Sequence, residues 1–317
     1  MIQIIIKRLF WAFFLSICIS FLCFCLLYFA KGSVVFAKMP QASSITKRQM
    51  EENLDLHKPL LEQYFTWLTQ ALKGDFSYSL ISGEKVSALF LELLPNTLLL
   101  SFSAFFLVIL LSLFLGVISV IYRESFLDKC IAYFTMGIFA MPTFAFSLLL
   151  IMFFSIYLDI LPSSGVSDLG FENDLGNRIL HLILPLVVLT LTHFAIYVRF
   201  VRASVIDSLN SSFVEGILAR GIGKIRLYFY FVLKHSLGPI LSYFGASSIA
   251  FVASIYVVES IFAYGGIGNL FIKSIVFKDY PIVLLMVVFS VVFVIFINLA
   301  VEIINHFINP RLQYIKG

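Results

Sequence analysis

The chain has 317 residues, of which 61% are hydrophobic and only 13% charged, with a mean hydropathy of +1.01 and a formal net charge of +4. A water-soluble domain of this length has no use for so much apolar surface, so the composition makes the lipid bilayer the solvent. The small positive balance comes without any long basic run, which excludes a nucleic-acid-binding surface.

Six uncharged stretches are long enough to cross a bilayer: Leu9–Ala30, Asn96–Tyr122, Cys130–Leu158, Ile179–Val198, Ser236–Val258 and Pro281–Val301. A hydrocarbon core of about 30 Å takes roughly 20 helical residues at about 1.5 Å each. The first stretch follows Lys7 and Arg8, as a secretion signal would. It outruns the signal's apolar region of about 7–15 residues, and Tyr28 stands where a small residue is needed for cleavage. It therefore reads as a retained signal anchor. Cys18, Cys23 and Cys25 lie within it and Cys130 opens the third stretch. None stands at metal spacing from a His, so all four read as apolar filler.

An outer segment follows, residues 31–95. Within it Leu60, Leu61, Tyr64, Phe65, Trp67, Leu68 and Leu72 fall mostly at the spacing of one helix face, and Gly74 is placed to stop that helix. Such a helix can pack on the ends of the spans, dock a soluble partner, or do both.

The second and third spans are joined by the short turn Arg123 to Lys129, which makes them antiparallel neighbours. The third is the longest and is expected to tilt or to run past the interface. Pro142 lies inside it and Pro185 inside the fourth, and each removes a backbone donor and bends its helix. The middle of the fifth span is filled with small residues. Ala246, Ala250 and Ser254 stand four apart on one face, which serves either close helix packing or the border of a pathway.

Orientation follows from Lys and Arg. With the N-terminus inside, the short inner segments carry twelve of these cations and the short outer ones only Arg178, Lys273 and Lys278. This places both termini in the cytoplasm. The chain then divides into an anchor (1–30), the outer segment (31–95) and a five-helix core (96–317) with a cytoplasmic loop at 199–235.

That loop is a polar island in an apolar chain. Ser212 and Glu215 have the spacing of a capping box, so a helix of about two turns is expected over Phe213–Arg220, with Gly221 as its left-handed stop. A second helix should run from Lys224 toward Lys234 and enter the membrane near Pro239. A short helix held out of the membrane in this way is either an ordinary amphipathic loop helix or a handle for another protein.

The run Phe213-Val214-Glu215-Gly216-Ile217-Leu218-Ala219-Arg220-Gly221 resembles the EAA-x-x-x-G loop of ABC importer permeases. Further segments match in order: Leu56-His57-Lys58-Pro59-Leu60, Gly74-Asp75-Phe76, Leu94-Pro95-Asn96-Thr97-Leu98, Val257-Val258-Glu259-Ser260-Ile261-Phe262, Gly265-Gly266-Ile267-Gly268, Asp279-Tyr280-Pro281 and Asn309-Pro310-Arg311. Together they resemble the B-type permease of the oligopeptide, dipeptide and nickel class over almost the whole chain. Two departures stand out: Gly32 is followed by Ser33 and Val34, and Gly216, Ile217 and Leu218 replace the usual small and basic loop residues.

The resemblance implies an all-α polytopic membrane protein of six transmembrane helices, with an outer segment between helices 1 and 2 and a cytoplasmic coupling helix between helices 4 and 5. It implies alternating access driven by two separate cytosolic ATPase subunits, with a second permease subunit forming a heterodimer. An extracytoplasmic substrate-binding protein would deliver the cargo, peptides before nickel, at a bacterial inner membrane. It makes Glu215, Gly216, Ala219, Arg220 and Gly221 the coupling positions. ATP would bind the partner and no cofactor this chain, because Ile222-Gly223 stands where a phosphate loop needs Lys followed by Ser or Thr.

Other polar residues within the spans, His193, Asn298 and Glu302, read as structural contacts, and Glu259 as the cap of a short outer helix. Two other classes compete. An intramembrane serine hydrolase would use Ser247 with His306, but the two are expected at different depths, beyond hydrogen-bond reach. A secondary carrier or channel would work without ATP, and the paired intramembrane charges of many proton-coupled carriers are not evident.

Overall fold

The structure, a computed structural model, describes residues 2–29 and 59–308. The expected features at Ala30, Gly32, Leu56–Lys58 and Asn309–Arg311 lie outside them. Among the described residues the regular structure is helical apart from an isolated bridge between Tyr78 and Lys85. Helices are what lipid permits, since they satisfy their own backbone donors and acceptors.

The helices are α1 (Ile2–Phe29), α2 (Leu60–Ala71), α3 (Val86–Ile121), α4 (Phe126–Phe139), α5 (Thr143–Leu150), α6 (Leu175–Leu209), α7 (Ser212–Leu218), α8 (Lys224–Arg226), α9 (Leu233–Ala246), α10 (Ser248–Ile261), α11 (Ile267–Val276) and α12 (Tyr280–Ile308). A π-helical turn, Ile151–Tyr157, continues α5, and another, Leu227–Val232, joins α8 to α9. Among the described residues α3, α6 and α12 are unbroken and long enough to span. Two bent pairs, Phe126–Phe139 with Thr143–Tyr157 and Lys224–Ala246 with Ser248–Ile261, occupy the stretches of the third and fifth expected spans.

The third expected span is not one tilted helix. It breaks between Phe139 and Thr143 and turns by 100°. Pro142 ends up as the residue that starts α5, where its missing N–H costs nothing. Pro185, by contrast, sits inside an unbroken α6, so proline alone did not decide the break. The fourth span also differs, running to Leu209 and taking the first part of the expected loop, 199–209, into the helix.

The chain forms two compact units. The first comprises residues 1–97 and 265–295. Here α2 packs on α1 through Tyr64, which is buried and edge-on to Phe21 and Phe24. Its hydroxyl lies 2.9 Å from Ser20 Oγ and donates to the Ile17 carbonyl at 3.1 Å. Gly74 has φ +82° and stops the α2 turn as its position in the sequence required. The fully buried Asp279 accepts from Ser79 Oγ (2.5 Å) and from the Leu80 amide (3.1 Å), tying the 77–83 turn to the start of α12. Asn96 Nδ2 donates to the Gly265 carbonyl (2.7 Å) and the Ile267 amide to Thr97 Oγ1 (2.9 Å). The Asn96-Thr97 and Gly265–Gly268 segments, far apart in sequence, are thus hydrogen-bonded together.

The second unit comprises residues 98–264 and 296–317. Its core joins Val108, Val117 and Val120 of α3 with Tyr197, Val201 and Val205 of α6 and Ile240 and Phe244 of α9. Gly116 lets α3 and α6 touch: a Cβ there would stand 2.6 Å from Val201 Cγ1 and 3.3 Å from the Val198 carbonyl. Gly245 does the same against α12, where a Cβ would meet Asn298 Oδ1 at 2.9 Å. The turn from α3 to α4 is capped by Ser125, whose side chain accepts from the Asp128 amide. Glu259 is not at the start of a short outer helix, as its sequence position suggests. It lies inside α10, fully buried, because that helix runs on to Ile261.

Candidate coupling site

The site is built by three consecutive pieces of the second unit. α6 delivers the chain to Leu209, Asn210 and Ser211 intervene, and α7 follows. One side of α7 is anchored. Val214 is buried, and Phe213 and Ile217 pack against the core. The Phe213 ring lies 4.7 Å from His235 of α9, and His235 Nδ1 lies 3.2 Å from Ser208 Oγ of α6. A helix of two turns would not persist alone in water, so this apolar face is what holds it.

The opposite side is open. Glu215, Gly216, Ala219, Arg220 and Gly221 are all exposed. The structure therefore brings the five sequence-predicted positions together on one accessible surface. Gly216 has open space where a Cβ would go. Gly221 has φ +71°, the left-handed conformation expected of a helix stop, and its amide donates to the Leu218 carbonyl (2.9 Å).

The start of α7 differs from the sequence expectation. Ser211, not Ser212, is the N-cap, and its side chain makes no capping bond. Ser212 is already helical, so its hydroxyl cannot occupy the capping geometry that the Ser212–Glu215 spacing predicts. Glu215 remains in the first turn, where a carboxylate complements the exposed amides. Beyond Gly221, Gly223 starts α8, and the helix then runs without a gap from Lys224 to Ala246. The re-entering helix of the sequence reading is there. Its π turn at Leu227–Val232 had no signal in the apolar pattern.

Within this chain the small-residue stripe is not where neighbouring helices meet. Ala246 and Ala250 are exposed and Ser254 partly so, and a helix break separates Ala246 from the other two. Helix packing within this chain falls instead on Gly245 and Gly116, which sequence reasoning did not single out. A lone glycine inside an apolar helix was the available signal, since it costs about 1 kcal/mol relative to Ala unless something needs the room.

Ser247 is bonded to a backbone carbonyl and a tyrosine rather than to a histidine. Its Oγ donates to the Tyr243 carbonyl (2.8 Å) and is bonded to the Tyr197 hydroxyl (2.7 Å), so its proton is committed to a backbone acceptor and not to a base. Among the described residues no three His, Cys, Asp or Glu side chains converge as metal ligands.

The fold is that of a polytopic helical membrane protein in which a short helix is held by one face and exposed on the other. Its sequence places it more closely: residues 109–314 match the binding-protein-dependent transport system inner membrane component family and residues 1–101 the N-terminal part of the membrane component of such systems, and the chain belongs to that family. It is thus a membrane-embedded transport component.

The oligopeptide transport system permease protein AppB of Bacillus subtilis (strain 168) is 34% identical over 98% of this chain and 99% of its own length. The metal-staphylopine import system permease protein CntB of Staphylococcus aureus (strain NCTC 8325 / PS 47) is 32% identical over 99% of each. The di/tripeptide transport system permease protein DppB of Pseudomonas aeruginosa (strain UCBPP-PA14) is 32% identical over 82% of this chain and 83% of its own. Among solved structures, an inward-facing form of the MetNI methionine ABC transporter matches with a TM-score of 0.56 and 17% identity, over 69% of this chain and 96% of that one, a likeness of fold.

Proposed function

We propose that this chain is one permease subunit of an ATP-driven importer of peptides, and that α7 is its coupling helix. The observation that carries the reading is the two-sidedness of α7: Val214 buried, Glu215, Gly216, Ala219, Arg220 and Gly221 exposed. A partner that grips the exposed side moves the anchored side with it, and the motion passes directly into α6 and into the helix from Lys224 to Ala246. The partners are two cytosolic ATPase subunits, which bind the ATP, a second permease subunit and an extracytoplasmic substrate-binding protein. The excess of Lys and Arg on the α7 side supports both termini in the cytoplasm of a bacterial cell.

Peptide cargo is supported by the peptide permeases among the relatives. The metal-staphylopine import permease among the relatives makes metal-staphylopine the other cargo to test. The experiment is purification of the native complex in mild detergent, subunit identification by mass spectrometry, and reconstitution into vesicles. ATP-dependent uptake of a labelled peptide, with ATPase subunits co-purified, is the expected result. Uptake that runs on an ion gradient without ATP would replace this reading with a secondary carrier.

A further inference from the structure

Two serine hydroxyls bond back to the preceding turn at the bend in the fifth span. α9 ends at Ala246, α10 begins at Ser248, and the helices on either side of the break differ in direction by 48°. Pro239 lies well inside α9, away from the break. Two serines lie at the break itself: Ser247 Oγ donates to the Tyr243 carbonyl (2.8 Å) and Ser248 Oγ to the Gly245 carbonyl (2.7 Å). A serine that bonds back to the preceding turn competes with the helix ladder and bends it.

Tyr197 of α6 stands opposite this break and is fully buried. Its hydroxyl lies 2.7 Å from Ser247 Oγ. The Ser247 proton is directed at the Tyr243 carbonyl, so the Tyr197 hydroxyl is the donor and Ser247 Oγ the acceptor. The Tyr197 ring is fixed by Phe244 at 4.6 Å and, edge-on, by Tyr243 at 5.7 Å. The same α6 continues from Tyr197 to Leu209 and hands over to α7.

We propose that the Tyr197–Ser247 hydrogen bond is the joint through which displacement of α6 sets the bend between α9 and α10, with Tyr197 and Ser247 as positioning residues for transport. The inference rests on the proposed function, in which α7 and α6 move with a partner. The joint works because a buried hydroxyl that loses its partner is costly, so Ser247 follows Tyr197 when α6 shifts. The exposed Ala246 and Ala250 flank the bend, and its angle decides where that face of the fifth span points.

The test uses the complete complex in vesicles and reads substrate imported per ATP hydrolysed, with the melting temperature of each variant alongside. Tyr197→Phe keeps the ring and removes the donor. It should lower the import-to-ATP ratio roughly two- to tenfold, about the range one net hydrogen bond commands. Ser247→Ala should do the same, the double variant should be no worse than either alone, and Ser247→Thr, which keeps a hydroxyl, should retain the ratio. An unchanged ratio in Tyr197→Phe while wild-type import depends on ATP would overturn the joint alone. So would a loss in the double variant equal to the sum of the two. Wild-type import that does not depend on ATP would overturn the functional reading and the joint with it.

Discussion

Arg202 Nη2 lies 2.9 Å from Asp128 Oδ2, and Arg202 Nε lies 3.2 Å from Asp128 Oδ1, so the guanidinium grips the carboxylate with both arms. Asp128 also accepts from the Ser119 hydroxyl and from the Glu124 amide (3.1 Å). One carboxylate therefore ties the end of α3, the turn after it and the start of α4 to α6. Asp128→Ala should destabilise the chain by about 1–3 kcal/mol, toward the lower end because 36% of the Arg202 side chain is exposed. Arg202→Lys should recover only part of the loss, since an ammonium lacks the fork. Thermal unfolding in detergent followed by circular dichroism reads both; unchanged melting in Asp128→Ala would refute the clamp.

Two helical glycines should respond in opposite ways to the same change. At Gly116 an added methyl would stand 2.6 Å from Val201 Cγ1, so Gly116→Ala should cost about 1–3 kcal/mol through overpacking. At Gly137 nothing lies within 4 Å, and Gly137→Ala should be neutral or stabilise by up to about 1 kcal/mol through helix propensity. Melting temperatures of the two variants in the same detergent decide it, and equal shifts would count against the close approach of α3 and α6.

Gly221→Val places a β-branched residue at φ +71°, a conformation such side chains rarely adopt. The local strain should cost about 1–2 kcal/mol and displace the end of α7. Import should be lost while membrane insertion, read by fractionation, stays intact. Gly216→Ala, with open space and helical backbone, should insert and melt as the wild type does. Normal import in Gly221→Val would remove α7 from the coupling path.

Ala250→Trp is directed at a residue that is exposed on this chain. The isolated subunit should keep its stability to within about 0.5 kcal/mol, as surface changes do. Assembly with the other subunits, read by size-exclusion chromatography, or import by the assembled complex should fail. A variant that assembles and imports normally would deny the small-residue face any role.

The sequence by itself determined the solvent, the helical class and the position of the short helix at Ser212–Leu218. Apolar runs of spanning length leave helices as the economical solution in lipid, and a polar island between two of them has nowhere to lie but outside. Gly74 and Gly221 were legible for a local reason: a helix stop needs a left-handed residue, and glycine provides it wherever the rest of the chain goes. What the pattern could not resolve was anything that depends on a neighbour far along the chain. Pro142 and Pro185 look alike in sequence, yet one starts a new helix after a 100° turn and the other lies in an unbroken one.

The Asp128–Arg202 clamp, the Tyr197–Ser247 bond and the close approaches at Gly116 and Gly245 each join residues many helical turns apart in the chain, across which periodicity carries no information. The small stripe at Ala246, Ala250 and Ser254 shows the same limit. Spacing placed three small residues on a face, and only the tertiary structure decided that the face is open while Gly245, one residue away, does the packing. A single helix can state which of its faces is smooth, but which face meets a neighbour is fixed by where the other helices lie.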